Sequence, residues 1–201
     1  MMGFNLPRKC GVMLLPDCTL FPHGGLPLYI FEERYRKMLD EALAGDCVFA
    51  VGRLKESGHG DEEMPRVGTA GLVRASRERE DGTSQLLLHG VIRVKFIEWL
   101  EEKSYPYAVI EPMMSEPLEE GRGLAAMKAL RGSVEDGIMG LPEEVRQGVL
   151  GLLDQADEAG LMADIVAQQF VDDVNLRQKL LETAGVGNRV RMLCEFFEKL
   201  K

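Results

Sequence analysis

The chain predicts an α+β fold in two parts: a small β-barrel carrying one embedded helix over residues 1–116, then an α-helical bundle over 117–201. Three observations predict it. Short apolar runs bounded by Gly, Pro or charge fill the first part, and Asp81-Gly82 marks a tight hairpin. Past Gly123, apolar residues recur at three- and four-residue steps, the period of a helix with one buried face.

In order, Val12 to Leu15, Leu26 to Ile30, Val48 to Gly52 and Gly71 to Ala75 read as strands, the second interrupted by Pro27. Pro22 and Gly24-Gly25 punctuate the loop before that second strand. Tyr35, Met38, Leu39, Ala42 and Leu43 then recur at helical spacing. Glu32 and Glu33 open this helix, where carboxylates complement the positive end of the helix dipole, and Gly45 ends it. Arg34 and Arg36 are expected to pair with acids across the barrel surface. Leu28, Ile30, Tyr35, Met38 and Leu39 are the expected core.

The hairpin arms run from Leu72 to Glu80 and from Thr83 to Phe96. On the second arm Leu86, Leu88, Ile92, Val94 and Phe96 share one parity with Gly90, so one face is buried and Gly90 marks a bulge or a close approach. From Glu111 to Gly123 the stretch EPMMSEPLEEGRG combines prolines, glycines and acids and reads as a linker or hinge. Four helical stripes follow: Met127, Leu130, Val134 and Ile138; Val145, Val149, Leu152 and Ala156; Leu161, Ile165 and Val166; and Val190, Leu193, Cys194, Phe197 and Leu200. Pro142 suits a first turn, and Asn188 is placed as a cap. Gly185-Val186-Gly187, following a helix rather than a strand, reads as a helix C-cap and not a phosphate loop.

Composition narrows the function classes. Thirty-three acids against 24 Lys plus Arg give a formal charge of -9, which repels polyphosphate and anionic lipid, so nucleic acid and membrane are disfavoured as partners. No apolar run approaches a membrane span, and residues 1–10 lack the apolar core of a secretory signal, so a cytoplasmic location is expected. The four cysteines form no CxxC pair, and Cys18, Cys47 and Cys194 sit in apolar surroundings as buried hydrophobes would.

No metal, cofactor or catalytic residue is predicted. Cys10, Cys18 and His23 lack the paired spacing of a zinc site. His23 reads as a turn residue, His59 as solvated in a Gly- and charge-rich loop, and His89 as an ordinary strand residue. Glu32 and Glu33, about 100° apart on a helix, do not converge as an acid and base would. Met38, Met127 and Met192 fall in helical stripes and read as core. What remains for a surface is apolar and adaptable: Phe21, His23, Gly24, Gly25 and Leu26 around a Gly-rich turn, and Met113 and Met114 beside the hinge.

The segment LFPHGGLPLYIFEERYRKMLDEAL, Leu20 to Leu43, resembles the signature of the Lon protease N-terminal domain. The likeness continues through Gly45-Asp46, Phe49-Ala50-Val51, Val67-Gly68-Thr69 and the strand from Leu86 to Arg93, and into the helical part at Leu161 to Ala167 and Lys179 to Val190. The resemblance implies a PUA-like barrel followed by a helical bundle. It also implies recognition of unfolded or damaged polypeptides or of a partner protein, self-association, and an adaptor role in protein quality control. A complete Lon-type protease needs a GxxxxGK[ST] loop and a Ser/Lys pair, and no Gly here is followed by Lys and then Ser or Thr. A stand-alone, non-enzymatic member is therefore expected. The alternative is an RNA-binding module, since PUA-like barrels include such modules; Arg74, Arg77, Arg79, Arg93 and Lys95 would form its basic strip, interrupted by Glu78, Glu80 and Asp81.

Overall fold

A computed structural model describes residues 5–56 and 62–199, so His59 and Leu200 lie outside the described residues. The chain divides into two compact units, Met1–Met114 and Ser115–Lys201.

In the first unit the strands are β1 (Lys9–Leu15), β2 (Gly25–Ile30), β3 (Val48–Arg53), the two-residue β4 (Lys55–Glu56) and β5 (Glu62–Glu63), β6 (Val67–Glu78), β7 (Ser84–Leu100) and β8 (Tyr107–Pro112), with helix α1 (Glu33–Ala44) between β2 and β3. The main sheet runs β2-β7-β6-β3-β1-β8, and β8 pairs again with β7. The pairings β7-β6-β3-β1-β8-β7 therefore form a closed circuit, with β2 attached outside it along the first half of β7. All pairs in this sheet are antiparallel except β1 with β3, whose parallel alignment needs the crossover that β2 and α1 supply.

Burial explains the continuous apolar runs of β1 and β3. One side of these strands, with Met13, Phe49 and Val51, packs with Tyr35, Met38 and Leu39 of α1 and with Leu86 and Leu88 of β7. The other side, with Cys10, Val12, Val48 and Ala50, packs with Ala70, Val94, Phe96, Ala108 and Ile110. A strand buried on both faces has no polar parity to display. The long β7 serves different neighbours along its length because it is bent by bulges: Ala70 faces Ile92 but Gly71 faces Gly90, and Phe96 faces Ile110 but Glu98 faces Val109, leaving Val91 and Ile97 unpaired. Gly90 thus borders a bulge and also makes a close approach, since a Cβ there would lie 2.2 Å from the Phe21 carbonyl oxygen.

The expected core residues Ile30, Tyr35, Met38 and Leu39 are buried, and Leu28 packs against them half-buried. Several expectations are corrected. Residues Tyr107–Pro112 form a strand, so Glu111 and Pro112 belong to the sheet rather than the linker. Cys10 is the buried cysteine, on the inward side of β1, where burial pushes its thiol up to about 12; Cys18, Cys47 and Cys194 are only half-buried. Arg34 pairs with Glu32, two residues away, instead of across the sheet.

The second unit contains α2 (Gly123–Gly137), α3 (Glu143–Leu153), α4 (Ala159–Phe170), α5 (Val174–Glu182) and α6 (Val186–Glu198). Leu130 and Val134 of α2, Leu153 of α3, Met162, Ala163 and Val166 of α4, Leu180 and Leu181 of α5, and Leu193 and Phe197 of α6 are among its buried residues. Met127 and Met192 are half-buried. Asp173 caps α5 by accepting hydrogen bonds from the N–H groups of Asn175 and Leu176. Gly185 is the N-cap of α6, not the C-cap of the preceding helix, and Asn188 lies inside the first turn rather than capping it. The expected division after residue 116 and the limits of the units differ by two residues. Within the second unit, Glu116 forms an isolated bridge with Gly185, and the Arg189 guanidinium donates to Ser115 Oγ.

Candidate functional site

The turn before β2 is held by backbone bonds. His23, at a left-handed φ of 64°, donates its N–H to the Gly90 carbonyl at 2.8 Å, Gly90 donates to the Gly24 carbonyl at 2.8 Å, and Gly24 donates to the Phe21 carbonyl at 3.0 Å. Thr69 Oγ1 donates to the Leu20 carbonyl at 2.5 Å. This reversal directs Phe21 inward, where it is fully buried with the Arg93 guanidinium 5.8 Å from its ring centroid. Met113 is buried too, and its N–H donates to the Arg93 carbonyl at 2.8 Å.

The seven residues expected at a surface therefore separate. Phe21 and Met113, both partners of Arg93, are interior, and Gly24 is buried; His23, Gly25 and Met114 are exposed, and Leu26 is half-buried. Buried side chains present no area to a ligand, so Phe21 and Met113 support the turn and sheet instead of forming a groove. Arg93 leaves the expected basic strip for the same reason, being 2% exposed, whereas Arg74, Arg77, Arg79 and Lys95 remain exposed.

The structure reveals a surface that the pattern reading passed over. β2, the start of β7 and the end of β6 form a three-stranded sheet whose inner side, with Leu26, Leu28, Ile30, Leu86, Leu88 and Val73, packs in the α1 core. Residues in register share a face. On the outer face Tyr29, Gln85 and Arg77 stand in one row and Pro27, Leu87 and Ala75 in the next, followed by Gly25 and His89. This face is uncovered: Tyr29 is 48% exposed, Leu87 43% and Phe31, just past β2, 62%. Tyr29 and Phe31 stack with centroids 6.0 Å apart, and the Arg79 guanidinium lies 5.5 Å from the Tyr29 centroid. Two signals carried this information. With Leu26, Leu28 and Ile30 inward, Pro27, Tyr29 and Phe31 must point out, and Leu87 lies between the inward Leu86 and Leu88.

At the top of the face, His89 is half-buried and its ring contacts His23 edge-on at 6.5 Å. Burial, then the positive charge of Arg74 and the nearby His23, hold the His89 pKa below the ordinary imidazole value, which favours its neutral form. A separate polar cluster joins α1 to the β7–β8 connection. Glu41 accepts from Tyr105 at 2.7 Å and from Lys103 at 2.6 Å, and these bonds hold its carboxyl below the usual range while burial and Glu41 push the Tyr105 hydroxyl up. Among the described residues no group of three or more His, Cys, Asp or Glu is placed to hold a metal ion, and no helix is long and apolar enough to cross a membrane.

Among the described residues the first unit is a closed circuit of strands with one packed helix and an uncovered apolar sheet face, and the second holds five helices. Residues 9–199 match the family described as the ATP-dependent protease La (LON) substrate-binding domain, and the chain belongs to that family. It is 27% identical over 194 residues to the Lon protease of Syntrophus aciditrophicus, covering 94% of this chain and 25% of that protein. It is 26% identical over 200 residues to the Lon protease of Azospirillum brasilense, covering 97% and 25%. The chain thus spans about a quarter of the length of these curated relatives. Its fold is that of the N-terminal domain of Mycobacterium avium complex Lon protease, with a TM-score of 0.76 at 14% identity over 95% of this chain and 98% of that one. The Lon N-terminal domain protein from Xanthomonas campestris aligns with a TM-score of 0.65 at 17% identity over 94% and 98%.

Proposed function

We propose that this chain is a non-enzymatic polypeptide-recognition module that takes hold of unfolded or damaged protein segments and acts as an adaptor in protein quality control. The observation that carries this reading is the uncovered face bearing Tyr29, Phe31, Pro27 and Leu87, at whose end lies the expected His23 to Gly25 turn. Exposed aromatic and aliphatic side chains fixed on a sheet lose little freedom on binding, and they gain when an apolar segment covers them. Membership in a substrate-binding family supports the same reading. Self-association and a cytoplasmic setting belong to this proposal as well.

The test is binding of a reduced, unfolded model protein. Saturable binding is expected, and Phe31→Asp with Leu87→Asp should weaken it about a hundredfold or more, since burying each side chain is worth about 1.5–3 kcal/mol and about 1.4 kcal/mol is tenfold. Leu124→Asp, at an 83% exposed position on α2, serves as the control and should change nothing. Absence of saturable binding at high micromolar concentration, or equal loss in both variants, overturns the reading.

A further inference from the structure

We infer that the outer face of the β2–β7–β6 sheet selects acidic apolar polypeptide segments, in which Asp or Glu alternates with aromatic or aliphatic residues. This inference rests on the polypeptide-recognition reading and adds the class of segment. The chain as a whole carries a formal charge of -9, yet the outward rows of this face carry arginine and no carboxylate. Arg77 stands in the row of Tyr29 and Gln85, Arg79 lies over the Tyr29 ring, and Arg74 is the extra residue of a bulge, since Val73 faces Leu88 but Ala75 faces Leu87. All three arginines are exposed, and among the described residues none forms an ion pair.

The neighbouring acids border the rows without standing in them, Glu78 and Glu80 lining one cleft with Arg77, Arg79 and Gln85. Glu78 is in register with the buried Ser84, which puts it on the opposite parity. Glu80 and Asp81 lie at the turn, where Asp81 Oδ1 accepts from the N–H and the hydroxyl of Thr83. The rows themselves hold Tyr29, Gln85, Arg77, Pro27, Leu87 and Ala75 and no carboxylate. Guanidinium groups bind carboxylates in a fork geometry, and Arg74 and Arg77 offer it without first breaking an ion pair, while Arg79 is shared with the Tyr29 ring and the Asp81 carboxylate. Rows two residues apart along a strand repeat at about 7 Å, the spacing of alternate side chains in an extended peptide. A bound strand can therefore set acids against the arginines while its apolar side chains lie on Leu87, Tyr29 and Phe31. Nucleic acid is the weaker match, because three arginines make few phosphate contacts and the rows offer Leu87 and Pro27 beside them.

The test uses the full chain and three short fluorescent peptides with identical apolar positions and Asp, Ser or Lys at the alternate ones. Anisotropy at low salt should show the Asp peptide binding about fivefold tighter than the Ser peptide, the gain expected from one or two exposed ion pairs, with the Lys peptide weakest. Arg77→Glu with Arg79→Glu should reverse that order, and Arg77→Gln with Arg79→Gln should flatten it. Unchanged Trp99 emission in both variants is the check on folding. Equal binding of all three peptides, or an Asp preference that survives both variants, overturns the charge selection and leaves polypeptide recognition standing. Failure of every peptide to bind overturns the recognition reading, and the selection with it. Tighter binding of oligouridylate than of the Asp peptide, lost on charge reversal, overturns the assignment in favour of RNA.

Discussion

Within the helical unit a buried guanidinium has to be matched, and Arg189 shows how the match is made. Its side chain and that of Asp164 are 1% and 6% exposed and approach to 3.7 Å, while Arg189 Nη1 donates to Ser115 Oγ at 3.1 Å and to the Thr183 carbonyl at 3.2 Å. One residue of α6 thereby gathers α4, the end of α5 and the entry segment at Ser115. Removing one partner of a buried pair strands the other charge and costs about 3–5 kcal/mol. Arg189→Ala should accordingly lower the denaturant midpoint of the helical signal steeply, as followed by far-UV circular dichroism. Pairing Arg189→Met with Asp164→Leu should recover part of the loss, because no charge is then left buried. A midpoint unmoved by Arg189→Ala would show that the pair carries no net weight. Nothing in the local pattern around Arg189 announces this role, since burial of a lone arginine depends on partners far apart in sequence.

At the scale of elements, β2 is an edge strand and its proline has a positional meaning. The Gly90 N–H to Gly24 carbonyl bond sets the phase, so at two-residue steps Leu26, Leu28 and Ile30 direct their backbone groups to β7, and Gly25, Pro27 and Tyr29 direct theirs outward. Pro27 therefore sits where no sheet bond needs an N–H, and it removes a donor from the open edge. Pro27→Val should restore that donor and raise strand propensity, and the expected result is concentration-dependent association in light scattering. A variant that stays as monodisperse as the wild type would remove edge protection as the role of Pro27. The sequence pattern exposed some elements and hid others for the same physical reasons. The hairpin was legible from Asp81-Gly82 and from the shared parity of Leu86 and Leu88, and Gly90 from its place in that parity. β8 was hidden because its six residues end in Glu111-Pro112, which resemble the linker that follows. The parallel pairing of β1 with β3 is a long-range fact with no local mark. In the candidate site, the turn at His23 to Gly25 was legible from its glycines. The interior positions of Phe21 and Met113 depend on Arg93, which reads locally as one more strand cation.

For the whole molecule, each unit owns a core, and the chain contains a single tryptophan with which to ask whether each also folds alone. Trp99 lies on β7 of the first unit, its ring 5.0 Å from that of Phe96 in the cluster formed with Val12, Ala50, Val94 and Ile110. Its fluorescence reports on the first unit. The sheet pairings of the first unit close on themselves through β7 and β8, and the last of them places Pro112 opposite Val94. A unit with its own closed hydrogen bonding and core meets the physical requirement for an independent domain. The fragment 1–114 should then unfold cooperatively, with a Trp99 midpoint close to that seen in the intact chain. Arg189→Ala in the intact chain should move the helical signal while leaving the Trp99 transition in place. For a domain of this size about 1 kcal/mol corresponds to a shift of about 4–8 °C. A fragment midpoint lower than the intact chain's by more than that, or a Trp99 transition that follows the helical one in Arg189→Ala, would show that the first unit depends on the second for its stability. An unmoved midpoint would establish that the exposed Tyr29, Phe31 and Leu87 face is carried by a domain that needs only its own residues to present it.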